Sequence, residues 1–202
     1  MSRRTIRSVV AALGAVALTP LPACGLLDSG DSVALFGDSL TLLVADAVKA
    51  GANDEFSINV SGTWGLRVDE LLDQAAEVSN SDPSQVVINL GTNNVLQHHD
   101  AVASAQDLAS MLDQFADVPC VHIVTLNEHI NRLGEDFAPD AAALNAQIRE
   151  LAGRQLNTNV IDWNAIVTEH FAEGIISEDT VHPNPKGVEL LADAYLEALR
   201  TC

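Results

Sequence analysis

Apolar positions in this chain change their spacing repeatedly, between short continuous runs and longer stretches of helical period. Val33–Gly37 is an unbroken apolar run ending in Gly, and Val86–Leu90, Val121–Leu126 and Asn159–Trp163 are short, largely apolar segments with one or two polar residues each. Phe56, Ile58 and Val60 alternate with polar residues. These five segments predict strands, most of them buried on both faces. Between them lie amphipathic stretches at Leu40–Ala50, Leu66–Val78, Ala101–Asp117, Ala138–Gln155 and Pro185–Arg200, which predict helices. Strands alternating with helices in this way predict a three-layer α/β fold with a doubly wound, five-stranded parallel sheet. In such sheets ligands bind beyond the carboxyl ends of the strands, so those ends are where chemistry is sought.

The first 23 residues break the pattern. Ser2-Arg3-Arg4-Thr5-Ile6-Arg7 is basic, Val9–Leu18 is apolar, and Thr19-Pro20-Leu21-Pro22-Ala23-Cys24 follows. This is the three-part pattern of an export signal over 1–23, with an apolar run too short to span a bilayer. Leu21-Pro22-Ala23-Cys24 resembles a bacterial lipobox, with Pro22 as a departure, which implies cleavage before Cys24 and lipid on it. The expected organisation is a signal at 1–23, a short tether at 24–32 and one globular domain at 33–202. The expected location is the cell envelope, lipid-anchored at the membrane; secretion as a free protein is the alternative.

Composition narrows the partners. The chain has 202 residues, 10 Lys+Arg against 28 Asp+Glu, and a formal net charge of −18. Removing the signal takes three arginines and no acid, leaving a body more acidic than the whole. Nucleic-acid binding draws on Lys and Arg against phosphates, so nucleic acid is excluded as a partner. Three cysteines are present. With Cys24 lipidated, Cys120 and Cys202 form an even pair that an oxidising compartment would bridge; two free thiols, one in a core and one at the terminus, are the other reading.

The strand ends carry a specific set of residues. Gly37-Asp38-Ser39-Leu40 follows the first strand, Gly62-Thr63-Trp64-Gly65 the second, and Gly91-Thr92-Asn93-Asn94 the third. Asp179-Thr180-Val181-His182-Pro183 precedes the last helix. Acyl transfer from an ester needs a hydroxyl nucleophile, a base to take its proton, a group to orient that base, and donors for the oxyanion. Asp and His three residues apart can share one side of a turn. Ser39 at a helix N-terminus meets unpaired backbone donors.

Taken together, these blocks resemble the SGNH (GDSL-type) hydrolase superfamily over the whole length after the signal, and the resemblance implies the flavodoxin-like fold of that group. It also implies Ser39 as nucleophile, His182 as base, Asp179 as its orienting carboxylate, and Gly65 and Asn93 as oxyanion donors, with Gly62 as the fallback for Gly65. Asn94 stands where the family usually has Asp. The expected activity is hydrolysis of carboxylic esters, either small acyl esters or acetylated glycans. Acyl transfer to a cell-surface sugar and a non-catalytic surface-anchored binding module are the alternatives. No metal or organic cofactor is implied, and a monomer is expected.

Other polar clusters carry weaker signals. His98-His99-Asp100 with His129 reads as a solvated loop and not a metal site, since no ligand spacing accompanies it. Trp64 reads either as a pocket wall or as a packing residue. Asn127, Glu128 and His129 end the fourth strand on the functional side, where substrate contact is expected. The His129–Asp140 loop, with Asn131, Asp136 and Phe137, is the expected variable rim.

Overall fold

The computed structural model describes residues 31–202. The export signal expected over 1–23, Cys24 and most of the tether lie outside the described residues. Five strands, β1 (Asp31–Gly37), β2 (Phe56–Gly62), β3 (Gln85–Asn89), β4 (Cys120–Val124) and β7 (Thr158–Ile161), pair in parallel in the order β2-β1-β3-β4-β7. A two-stranded antiparallel hairpin, β5 (Asn131–Arg132) and β6 (Glu135–Asp136), stands apart from this sheet.

Successive side chains of a strand point to opposite faces, and here both faces are apolar. Ala34, Phe36, Val86, Ile88, Val121 and Ile123 face one way. They pack under α2 (Leu72–Ser79), α4 (Ala101–Gln114) and α5 (Ala138–Arg154), through Ala75, Leu108, Met111, Leu144 and Ile148. Val33, Leu35, Val87, Val124 and Ile161 face the other way, against α1 (Ser39–Ala52), α6 (Trp163–Glu169) and α7 (Pro185–Arg200). Each large apolar side chain so buried stabilises the fold by ~1.5–3 kcal/mol. The α/β three-layer prediction therefore holds, and the two apolar faces of the central strands are its cause.

Helix boundaries differ from the periodicity where polar residues decide. The helix predicted from Leu66 begins only at Leu72, after a 3-10 turn at Asp69–Leu71. Gly65 at φ 75° turns the chain, and Glu70 Oε2 accepts from Arg67 N at 2.9 Å, so residues 63–68 are held as a loop. The fifth strand ends at Ile161 and does not reach Trp163. Asp162 caps α6 by accepting from Ala165 N at 3.2 Å, and Trp163 is the first, fully buried residue of that helix. The short helix α3 (Thr92–Leu96) was not predicted.

Cys120 and Cys202 form a disulfide, with Cα atoms 6.4 Å apart. It ties the start of β4 to the end of the chain. No helix among the described residues is long and apolar enough to cross a membrane.

Candidate active site

In a sheet ordered 2-1-3-4-5, the connections from β1 and β3 leave in opposite directions, and the crevice opens between these two strands. Here Ser39 follows β1 and Asn93 follows β3, one on each side of that crevice. The junction is tight. A Cβ on Gly37 would lie 2.2 Å from Thr41 Oγ1 and 2.3 Å from the Asn89 carbonyl oxygen, so only glycine fits. Asp38 then caps α1, its Oδ1 accepting from Leu40 N at 3.0 Å, and Ser39 becomes the first residue of the helix.

Ser39 Oγ lies 2.9 Å from His182 Nε2, and His182 Nδ1 lies 2.6 Å from Asp179 Oδ2. An ionised carboxylate can only accept, so Nδ1 carries the proton and Nε2 is left to accept from the Ser39 hydroxyl. The other Asp179 oxygen accepts from the backbone N–H groups of Val181 and His182, each at 3.0 Å. Partial burial would raise the Asp179 carboxyl, but the bonds from the His182 ring and from these two N–H groups outweigh it and hold it below the usual carboxylate range. One side chain thus shapes the turn and orients the ring. Thr180 takes the left-handed conformation (φ 63°) within that turn.

Ser39, His182, Gly65 and Asn93 line one cavity of about 260 Å³, together with Trp64, Thr92, Leu96, Arg132 and Val181. Gly65, with φ 75° and nothing near its Cβ position, is on the wall. Gly62 is not among the lining residues. Trp64 is 59% exposed, with its ring 6.2 Å from that of His182, so it forms a wall and is not a packing residue.

Asp38 is the residue the motif reading left without a task. It is fully buried, and its Oδ2 accepts from Asn93 Nδ2 at 2.9 Å. Burial pushes its carboxyl up to about 7, against the opposing pull of the Leu40 N–H and the Asn93 amide. Its place between Gly37 and Ser39 was the available signal, but only the fold shows that it is buried and what it faces.

The Asn127, Glu128 and His129 segment does not line this cavity, contrary to expectation. Asn127 Nδ2 donates to the Thr180 carbonyl at 3.0 Å, and its Oδ1 accepts from His129 N. Glu128 Oε1 accepts from Asn145 Nδ2, and His129 stacks on Phe171 with ring centroids 4.4 Å apart. Of the three, Asn127 braces the Asp179–His182 turn, while Glu128 and His129 are held by α5, α6 and Phe171. Phe137, expected on the rim, is buried. Asn94 is structural: its Oδ1 accepts from Val68 N and its Nδ2 donates to Ser104 Oγ. Asp100 caps α4, and His99 faces Asp107 at 3.1 Å.

The sheet order, with a serine, a histidine and a carboxylate joined in one hydrogen-bonded chain at its switch point, is that of the SGNH class of three-layer α/β proteins. The family model of the GDSL-like Lipase/Acylhydrolase family matches residues 30–190, and the chain belongs to that family. Curated protein sequences contain no match to it. Among solved structures, a member of the lipolytic G-D-S-L family from Veillonella parvula DSM 2008 is similar at 22% identity and TM-score 0.72, over 85% of this chain and 99% of that one. Axe2, an acetylxylan esterase from Geobacillus stearothermophilus, is similar at 18% identity and TM-score 0.69, over 85% and 94%. The C-terminal catalytic domain of peptidoglycan O-acetyltransferase A from Streptococcus pneumoniae is similar at 23% and 0.66, also over 85% and 94%. At these identities the likeness is one of fold.

Proposed function

We propose that this protein is an exported serine esterase that hydrolyses small acyl esters or acetylated glycans through an acyl-enzyme on Ser39. The hydrogen-bonded chain from Ser39 Oγ through His182 to Asp179, opening on a cavity that Gly65 and Asn93 also line, carries this reading. In the first half-reaction Ser39 Oγ attacks the ester carbonyl carbon while His182 Nε2 takes its proton. The oxyanion that forms is met by the Gly65 N–H and the Asn93 amide. Collapse of this tetrahedral species breaks the bond to the leaving alcohol, whose oxygen receives the proton from His182. Water then adds to the acyl carbon, giving a proton to His182, and the carboxylic acid leaves as Ser39 recovers its proton. Asp179 keeps Nδ1 protonated and stabilises the imidazolium through both halves.

The cavity's modest volume favours a short acyl group such as acetyl, and the exposed Trp64 offers a flat wall to a sugar ring. Export is supported by the basic and apolar N-terminal pattern and by the Cys120–Cys202 disulfide, a bond that persists in oxidising compartments. The lipobox-like Leu21–Cys24 supports a lipid anchor on Cys24, since an acidic body gains nothing from an anionic membrane surface. Diacylglycerol on Cys24 in a mass spectrum of the membrane fraction is the expected observation.

A second reading, transfer of the acyl group to a sugar hydroxyl, is favoured by the likeness to the O-acetyltransferase catalytic domain. Acetate release from nitrophenyl acetate and from acetylated xylan, with and without an added oligosaccharide acceptor, separates the two. Hydrolysis predicts free acetate unaffected by the acceptor, whereas transfer predicts acetylated acceptor in its place. Ser39→Ala abolishes both reactions and labelling by a fluorophosphonate probe. An unlabelled wild-type protein would instead mark a binding module without turnover.

A further inference from the structure

Among the described residues, five of the seven Lys and Arg side chains are matched to a carboxylate. Arg67 faces Asp69 and Glu70, Arg149 faces Asp162, Arg154 faces Glu150, Lys186 faces Glu173 and Arg200 faces Glu55. Lys49 and Arg132 are the cations without an ion-pair partner there. Lys49 is an exposed residue in the last turn of α1, at the opposite end of that helix from Ser39. Arg132 lies on the wall of the cavity that holds Ser39 and His182. Glu135, its opposite number in the β5–β6 hairpin, leans instead toward His98, with Oε1 3.6 Å from Nε2. Asp179, the carboxylate of the same rim, is occupied by His182 and two backbone N–H groups. In a strongly acidic chain an unmatched guanidinium beside the nucleophile is a site for an anion that is not part of the protein.

The hairpin's attachment says which part of the substrate it meets. Asn131 N donates to Thr180 Oγ1 at 3.0 Å, and that hydroxyl donates to the Asn131 carbonyl at 2.9 Å. Arg132 is therefore fixed to the turn that carries His182. On the esterase reading, His182 Nε2 returns its proton to the leaving oxygen, so the alcohol portion of the ester lies on this side of the cavity. A guanidinium presents a planar fork that matches a carboxylate with two parallel N–H donors.

We infer that Arg132 is a specificity-determining residue that binds a carboxylate on the alcohol portion of the substrate, which makes esters of acidic hydroxyl compounds, such as O-acetylated uronic acids, the favoured class. The inference rests on the esterase reading above and goes beyond it in naming the charge of the substrate. Because Arg132 is exposed, the attraction is screened by salt.

The test compares acetate release by the purified full chain from 4-acetoxybenzoate and from methyl 4-acetoxybenzoate, which differ in the charge of the alcohol portion. The wild-type protein prefers the carboxylated ester, through a lower KM. Arg132→Gln lowers the ratio of kcat/KM values, carboxylated over neutral, by about tenfold, the size expected for losing a charge-assisted hydrogen bond. Arg132→Lys retains part of the preference, and high salt shrinks the wild-type ratio. A ratio that Arg132→Gln leaves unchanged overturns the inference while Ser39-dependent cleavage of both esters keeps the esterase reading intact. If Ser39→Ala cleaves both esters as fast as the wild type, the esterase reading fails and the inference falls with it.

Discussion

Asp38 Oδ2 accepts a hydrogen bond from Asn93 Nδ2 at 2.9 Å, wholly out of water, and this contact ties the residue before the nucleophile to a proposed oxyanion donor. An amide nitrogen has two hydrogens. With one committed to Asp38, the other is fixed in direction and is free to meet the oxyanion. Asp38→Asn would set one NH2 group against another, so Asn93 must turn or tilt. Turnover is expected to fall about tenfold to hundredfold, in kcat more than in KM. Asn93→Ala alone is expected to cost ~10²–10³, as loss of an oxyanion donor does. If Asp38 acts through Asn93, the double variant is no slower than Asn93→Ala. Additive losses in the double variant would contradict the coupling.

The same carboxyl makes a pH-dependent contribution to stability. Its folded-state pKa is raised from an ordinary 3.8 to about 7, chiefly by burial. Between these values the folded protein keeps a proton that the unfolded chain has released, so stability falls as pH rises through this window. The full cost, about 4 kcal/mol, is present above pH ~7 and vanishes below pH ~4. Asp38→Asn carries no such cost. Relative to wild type, its Tm should therefore improve from pH 4 to about pH 7 and level off above that, and parallel Tm profiles would refute the assignment.

What the sequence made legible and what it did not divide along physical lines. Ser39, Asp179, His182 and Asn93 stand in short contiguous motifs at the ends of strongly patterned segments, so their placement needed only local information. Val160 and Ile161 extend a strand pattern toward Trp163, yet one carboxylate, Asp162, caps a helix there instead. Helices α3 and α6 span two turns or fewer, too short for a periodicity to show. The contact between Asn131 and Thr180 joins residues 49 apart, and no local pattern announces it. Arg132 carries no sequence signal for that reason, and Asn127, expected at the substrate, braces the Thr180 turn.

Asp179 does two things with two oxygens, and a single substitution separates them. In Asp179→Asn the carbonyl oxygen can still accept from the N–H groups of Val181 and His182, so the turn is retained. The amide NH2 then faces His182 Nδ1 and favours the tautomer with its proton on Nε2, which cannot accept from Ser39. Activity should drop by roughly 10³–10⁴ with little change in Tm. A large loss of stability in the variant would show that the charge, and not the tautomer, is what the turn requires.

The Cys120–Cys202 bridge closes 82 residues and anchors the chain's last turn beside β4. Gln85 Nε2, in the neighbouring strand, donates to the Leu199 carbonyl at 3.1 Å, so α7 is already docked when the bridge is absent. The bridge then acts mainly on the unfolded chain, whose freedom it restricts, and a loop of this length is worth ~4–5 kcal/mol on the chain-entropy account. Cys202→Ser should lower the denaturant midpoint substantially while leaving kcat for nitrophenyl acetate unchanged, because neither cysteine approaches the Ser39 cavity. Reducing the wild-type protein should reproduce the shift, and reducing the variant should add nothing. A midpoint that neither reduction nor Cys202→Ser moves would mean that the two thiols are not joined in the folded protein.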